Sequence, residues 1–86
     1  MYRIELARHA EKQIEKIYRA DRRLYERFLE AFEDIRRYPS IGKPLKHDLK
    51  CLRSHRLGSY RILYQVHQGR LLILIIDLGH RREIYQ

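Results

Sequence analysis

The chain is poor in the residues that staple or break small domains. It has one cysteine, Cys51, no tryptophan, two prolines and four glycines. One thiol cannot close an internal disulfide, so the fold has to rest on a hydrophobic core. Its longest purely aliphatic run, Leu71–Ile76, is far too short to span a bilayer. Nothing at the start resembles a signal peptide, because charged, alternating sequence begins at once, and a cytoplasmic location without membrane contact is the expectation. No internal repeat or low-complexity tract is visible, and 86 residues suffice for one core. A single domain over residues 1–86 is expected.

Acidic residues are also scarce. Nineteen Lys and Arg stand against eleven Asp and Glu, a formal net charge of +8. Such a surplus serves solubility at the least, and its field favours polyanionic partners, nucleic acid or an acidic protein. Apolar residues at 44% and charged residues at 35% exclude the disordered class.

Along the chain, Tyr2, Ile4 and Leu6 alternate with Arg3 and Glu5 as in a half-buried strand. Ala10, Ile14, Ile17 and Tyr18 then recur at helical spacing over about His9 to Tyr18. Asp21 is a suitable N-cap for a second helix with the stripe Leu24, Phe28, Phe32 and Ile35, ended at Tyr38-Pro39. "PSIGKPLKHD" reads as a loop. A meander of three strands follows, over Cys51–Leu57, Tyr60–His67 and Arg70–Leu78, with turns at Gly58-Ser59 and Gln68-Gly69. The last strand is apolar at nearly every position and reads as central, covered on both faces, partly by the C-terminal residues. The fold class is α+β: an N-terminal strand, a two-helix hairpin and a three-stranded antiparallel meander, with the helices on one face of the sheet.

Arginines interrupt this pattern where a sheet would favour apolar residues. Alternation turns Tyr60, Ile62, Tyr64 and Val66 one way and Arg61, Leu63, Gln65 and His67 the other, so Arg61 points away from the helices. On the preceding strand Arg56 shares a side with Ser54, and Arg53 shares the other with His55; both sides are polar, so alternation does not orient that strand. After Gly79 come His80, Arg81 and Arg82, then Tyr85. Guanidinium forks bind phosphate bidentately, and tyrosine or histidine stacks on a splayed base. Around a scissile phosphate, arginines would also stabilise the charge that develops when a 2′-hydroxyl attacks. The bland reading of each is an edge-blunting strand residue.

"RSHRLGSYRILYQV" and "LGHRREIYQ" resemble the RelE branch of the RelE/ParE toxin superfamily, the toxin halves of toxin–antitoxin modules. The resemblance extends over nearly the whole chain, "GKPLK" loop included. It implies a microbial-ribonuclease-like fold and a ribosome-dependent mRNA endoribonuclease that cleaves in the ribosomal A site, inhibits translation and is neutralised by a cognate antitoxin. Its expected partners are that antitoxin, the ribosome with its rRNA, and mRNA, with operator DNA bound only through the antitoxin. By the same resemblance Arg61 holds the scissile phosphate. Arg81 stabilises the transition state or protonates the leaving 5′-oxygen, and Tyr85 stacks on the base and positions the 2′-hydroxyl. By the same resemblance Arg56 falls where the best-known member of that branch has one lysine of a basic pair, and Ser54 falls at the other half. His80, whose imidazole is the side chain that general acid–base work most often uses, is a candidate acid or base. Arg53, His55, Arg82, Lys43 and Lys46 complete an expected RNA-binding set. No metal and no cofactor is expected, since His9, His47 and His67 lack ligand spacing. The alternatives are a ParE-like gyrase inhibitor and a non-catalytic basic binding module of the same fold.

Overall fold

The computed structural model describes residues 1–45 and 52–80. Strand β1 (Arg3–Leu6) leads into helices α1 (Arg8–Ala20) and α2 (Arg22–Arg37); β2 (Lys43–Pro44), β3 (Leu52–Leu57), β4 (Tyr60–His67) and β5 (Leu72–His80) follow. The strands form one five-stranded sheet in the order β1-β5-β4-β3-β2. β1 lies parallel to β5 and the other pairings are antiparallel. The α+β class and the helix hairpin are as expected, and β5 is central between β1 and β4. Its helix-facing residues Ile73, Ile75 and Leu78 are fully buried, while Leu74 and Ile76 are half-buried. The expected cover from the C-terminal residues lies outside the described residues.

Local chemistry accounts for the boundaries. The Asp21 carboxylate accepts from Leu24 N at 3.0 Å, the N-cap expected for α2. Asp21→Ala should lower stability by about 1 kcal/mol in urea unfolding, and an unchanged midpoint would show that the cap is redundant. Gly58 takes φ 61 in the two-residue connection between Leu57 and Tyr60, as the first central position of a type II′ hairpin requires. The next connection is longer than the sequence suggests. Gln68–Arg70 make a 3-10 turn and Leu71 adopts a left-handed conformation at φ 49, so β5 starts at Leu72 rather than Arg70. It also runs on to His80, beyond the expected end at Leu78.

Two further expectations change. The "GKPLK" stretch, read as loop, contributes β2, whose Lys43 and Pro44 pair with Ser54 and Arg53 at the sheet edge, where a proline is tolerated. Tyr18 is 42% exposed rather than core; its ring meets Tyr25 edge-on at 4.8 Å and lies 4.1 Å beneath the Arg22 guanidinium. The core proper joins Ala10, Leu24, Phe28, Ala31, Phe32 and Ile35 of the helices to Ile62, Tyr64, Ile73, Ile75 and Leu78 of the sheet. It covers one sheet face and leaves the other free of helices.

Candidate nucleic-acid interface

Ile62 and Tyr64 are buried against the helices, so alternation along β4 turns Arg61 and Leu63 to the opposite face. Directly paired residues share a face, and the register sets Arg56 opposite Arg61, Ser54 opposite Leu63 and Lys43 opposite Ser54. Lys43, Ser54, Arg56 and Arg61 therefore lie together on the face without helices. Arg61 Nη1 donates to Ser54 Oγ at 3.4 Å, which draws the guanidinium across the β3–β4 pair. Ser54 is only 4% exposed and Arg61 is half-buried, whereas Arg56 and Lys43 are exposed.

Two like charges directly opposite in a ladder destabilise it, their Cβ atoms being about 4.5–5.5 Å apart. An anion between Arg56 and Arg61 would offset that repulsion, and guanidinium forks suit phosphate. Gly79 is the β5 partner of Arg61 and has φ 154, a conformation that favours glycine, so no side chain flanks Arg61 from β5. From Leu52 to His80 the sequence has four arginines and one acid, Asp77. That carboxylate is engaged by the His9 ring at 3.0 Å and by Leu78 N at 2.8 Å. Among the described residues, no cluster of His, Cys, Asp and Glu could hold a metal ion.

Other members of the expected set are not on this face. Arg53 pairs with Tyr64 and His55 with Ile62, so both turn toward the helices. Arg53 Nη1 donates to Gly42 O at 2.6 Å and Ser40 O at 3.3 Å. Burial pushes the His55 imidazole below its ordinary pKa, and the Asp34 carboxylate on α2 opposes that only in part. His80 continues the alternation of Leu78 and faces the helices as well. Its ring meets Tyr60 edge-on at 5.5 Å and lines a cleft of about 410 Å³ with Gln13, Lys16 and Asp21. Lys46, Arg81, Arg82 and Tyr85 lie outside the described residues.

The lowered pKa of His55 gives a signed expectation. Below about pH 6.5 the unfolded chain binds a proton at His55 that the folded chain resists, so stability falls with pH from there until the folded group also titrates. The urea midpoint should therefore drop less between pH 7 and pH 5 in His55→Gln than in the wild type. Equal drops would assign the acid sensitivity to other groups.

Sequence reasoning missed the Tyr64 hydroxyl. Tyr64 is 0% exposed and sits in the core-facing row of β4, yet its hydroxyl accepts from Gly42 N and donates to Pro39 O, both at 2.8 Å. The signal was present, because a phenol in a core stripe needs a hydrogen-bond partner.

Residues 4–85 match the sequence profile of the ParE toxin of type II toxin–antitoxin systems, parDE. The chain belongs to this family. It is a RelE-like toxin of the RelE/ParE superfamily, as the two C-terminal motifs suggested. It is similar to Toxin RelG of Mycobacterium tuberculosis, 39% identical over 57 residues that make up 65% of this chain and 66% of RelG. Toxin RelE of the same organism is 39% identical over 46 residues, 54% of this chain and 47% of that toxin. Among solved structures, the RelBE2 toxin–antitoxin complex from M. tuberculosis contains a chain that superposes with a TM-score of 0.80 at 30% identity, covering 93% of this chain and 98% of that one. The isolated E. coli RelE toxin superposes with a TM-score of 0.79 over 93% of this chain and 84% of that one; at 19% identity this is a likeness of fold.

Proposed function

We propose that this toxin is an endoribonuclease that cleaves mRNA in the ribosomal A site and so stops translation. One observation carries the reading: Arg56 and Arg61 stand opposite one another on the sheet face without helices, with Lys43 in the neighbouring row, opposite Ser54. The ribosome supplies the path of the mRNA, and the toxin supplies charge and stacking. Arg61 grips the scissile phosphate. As the 2′-hydroxyl gives its proton to water and its oxygen bonds to phosphorus, the P–O5′ bond breaks and the 5′-oxygen takes a proton from water, giving a 2′,3′-cyclic phosphate and a free 5′-hydroxyl. Arg56 and Arg81 offset the extra negative charge of the pentacoordinate phosphorus, and Tyr85 stacks on the base beside the reacting ribose. These groups work by charge and position, and the step as proposed needs no metal. His80, directed at Tyr60, acts by holding the end of β5 that leads to Arg81 rather than as the acid or base.

The test is primer extension on mRNA translated in vitro with purified toxin, with and without ribosomes. Cuts within codons that need ribosomes support the reading, and their absence under every condition overturns it. A second reading has its own support in the match to the ParE toxin of parDE systems, and in Ser54, which carries no charge where the resemblance places half of a basic pair. In that reading the chain inhibits DNA gyrase, and loss of supercoiling without mRNA cleavage would establish it.

A cognate antitoxin completes the proposal. RelBE2 of M. tuberculosis is a toxin–antitoxin complex, and the +8 charge here suits an acidic segment that folds on the toxin and neutralises its basic face. Operator DNA is bound through that antitoxin. Among the described residues no helix is long and apolar enough to cross a membrane.

A further inference from the structure

We infer that Tyr64 and Arg53 form a latch on the helix side of the sheet that sets the position of Lys43 on the RNA side. The inference rests on the nuclease reading above, and it makes both residues positioning residues rather than RNA contacts.

The segment after α2 reaches the sheet through Pro39–Gly42, and among the described residues four polar contacts of its backbone run to these two side chains. The Tyr64 hydroxyl donates to Pro39 O and accepts from Gly42 N, while Arg53 Nη1 donates to the carbonyls of Ser40 and Gly42. Burial raises the pKa of the phenol, so it remains a donor at physiological pH. The approach is close enough to require glycine. A Cβ on Gly42 would lie 2.6 Å from the Tyr64 oxygen, 2.8 Å from its ring and 3.0 Å from Ser54 O.

Lys43 is the next residue. β2 has two residues, one of them a proline without an N–H, so its own ladder gives it little hold on the sheet edge. The latch supplies that hold from the other side. It fixes Gly42, which sets Lys43 opposite Ser54, the residue that accepts from Arg61. Lys43 and Arg61 are thereby kept at a constant spacing along one strand of RNA, and Lys43 meets the phosphate beside the one that Arg61 holds.

The test uses the full chain and a single-stranded RNA oligonucleotide, with affinity measured across a salt series for the wild type, Tyr64→Phe, Lys43→Ala and the double variant. Loss of one phosphate contact lowers the salt slope by about 0.7. Tyr64→Phe keeps the ring and its packing, yet it should weaken binding and reduce the slope as Lys43→Ala does. The double variant should bind no more weakly than Lys43→Ala alone. Hydrogen exchange at the Gly42 amide should quicken in Tyr64→Phe. Wild-type binding by Tyr64→Phe, or additive losses in the double variant, would overturn the positioning role while leaving the nuclease reading intact. A wild-type chain that binds no RNA off the ribosome would overturn Lys43 as a phosphate contact, while primer extension with ribosomes still decides the nuclease reading; exchange at Gly42 then still reads the latch, and unchanged exchange would overturn it too.

Discussion

Arg61→Ala should slow ribosome-programmed mRNA cleavage by about 10²–10³-fold, the cost of removing one preorganised donor from a developing oxyanion. The expectation follows from how the side chain is held. Arg61 projects from the middle of the sheet and is drawn toward Ser54, and its β5 partner, Gly79, carries no side chain. A guanidinium so constrained meets a phosphate with little reorganisation, which is where most of its value lies. Arg61→Lys should recover only part of the rate, because an ammonium keeps the charge and loses the bidentate fork. Arg56→Ala should cost less, since Arg56 is exposed and its charge is screened by water and salt. The fold should tolerate Arg61→Ala, because the core lies on the other face and the change relieves repulsion with Arg56. Single-turnover cleavage together with urea unfolding separates the two effects. Cleavage by Arg61→Ala at the wild-type rate would remove Arg61 from the chemistry.

Where the sequence was legible, one periodicity had one physical cause. The stripe Leu24, Phe28, Phe32 and Ile35 could only be the buried face of a helix, and all four are buried. β4 alternates aromatic and aliphatic residues against Arg61, so its facing could be read directly. β3 could not, because Ser54 and Arg56 on one side are as polar as Arg53 and His55 on the other. Only pairing with β4 orients it, and pairing is a long-range fact. The same limit hid the place of β1, whose four-residue alternation identifies a strand but not its parallel neighbour β5. The facing of His80 was hidden for a local reason. Ending the strand at Leu78 detached His80 from the alternation that turns it toward Tyr60.

The two sheet faces therefore divide the work, and a perturbation should show which face it belongs to. Phe28→Ala tests the helix side. Phe28 is 0% exposed, meets Tyr60 edge-on at 5.8 Å and lies 6.5 Å from Phe32, and Tyr60 in turn meets His80. Truncation removes the transfer free energy of the ring and leaves a cavity, at about 3–5 kcal/mol. A domain of this size has about 5–15 kcal/mol in total, so the variant should retain a small margin or none. The urea midpoint should fall by a large fraction with the m-value unchanged, as for a loss of stability without a change in the surface exposed. Leu29→Ala on the solvent side of the same helix should stay within about 0.5 kcal/mol, since Leu29 is 40% exposed. Cleavage by Phe28→Ala should track the folded fraction and return as the antitoxin-free chain is stabilised by an uncharged osmolyte, because Arg56 and Arg61 belong to the other face. Cleavage that stays lost in a fully folded Phe28→Ala would instead mean that the Tyr60–His80 contact transmits the core to the end of β5, and through it to Arg81.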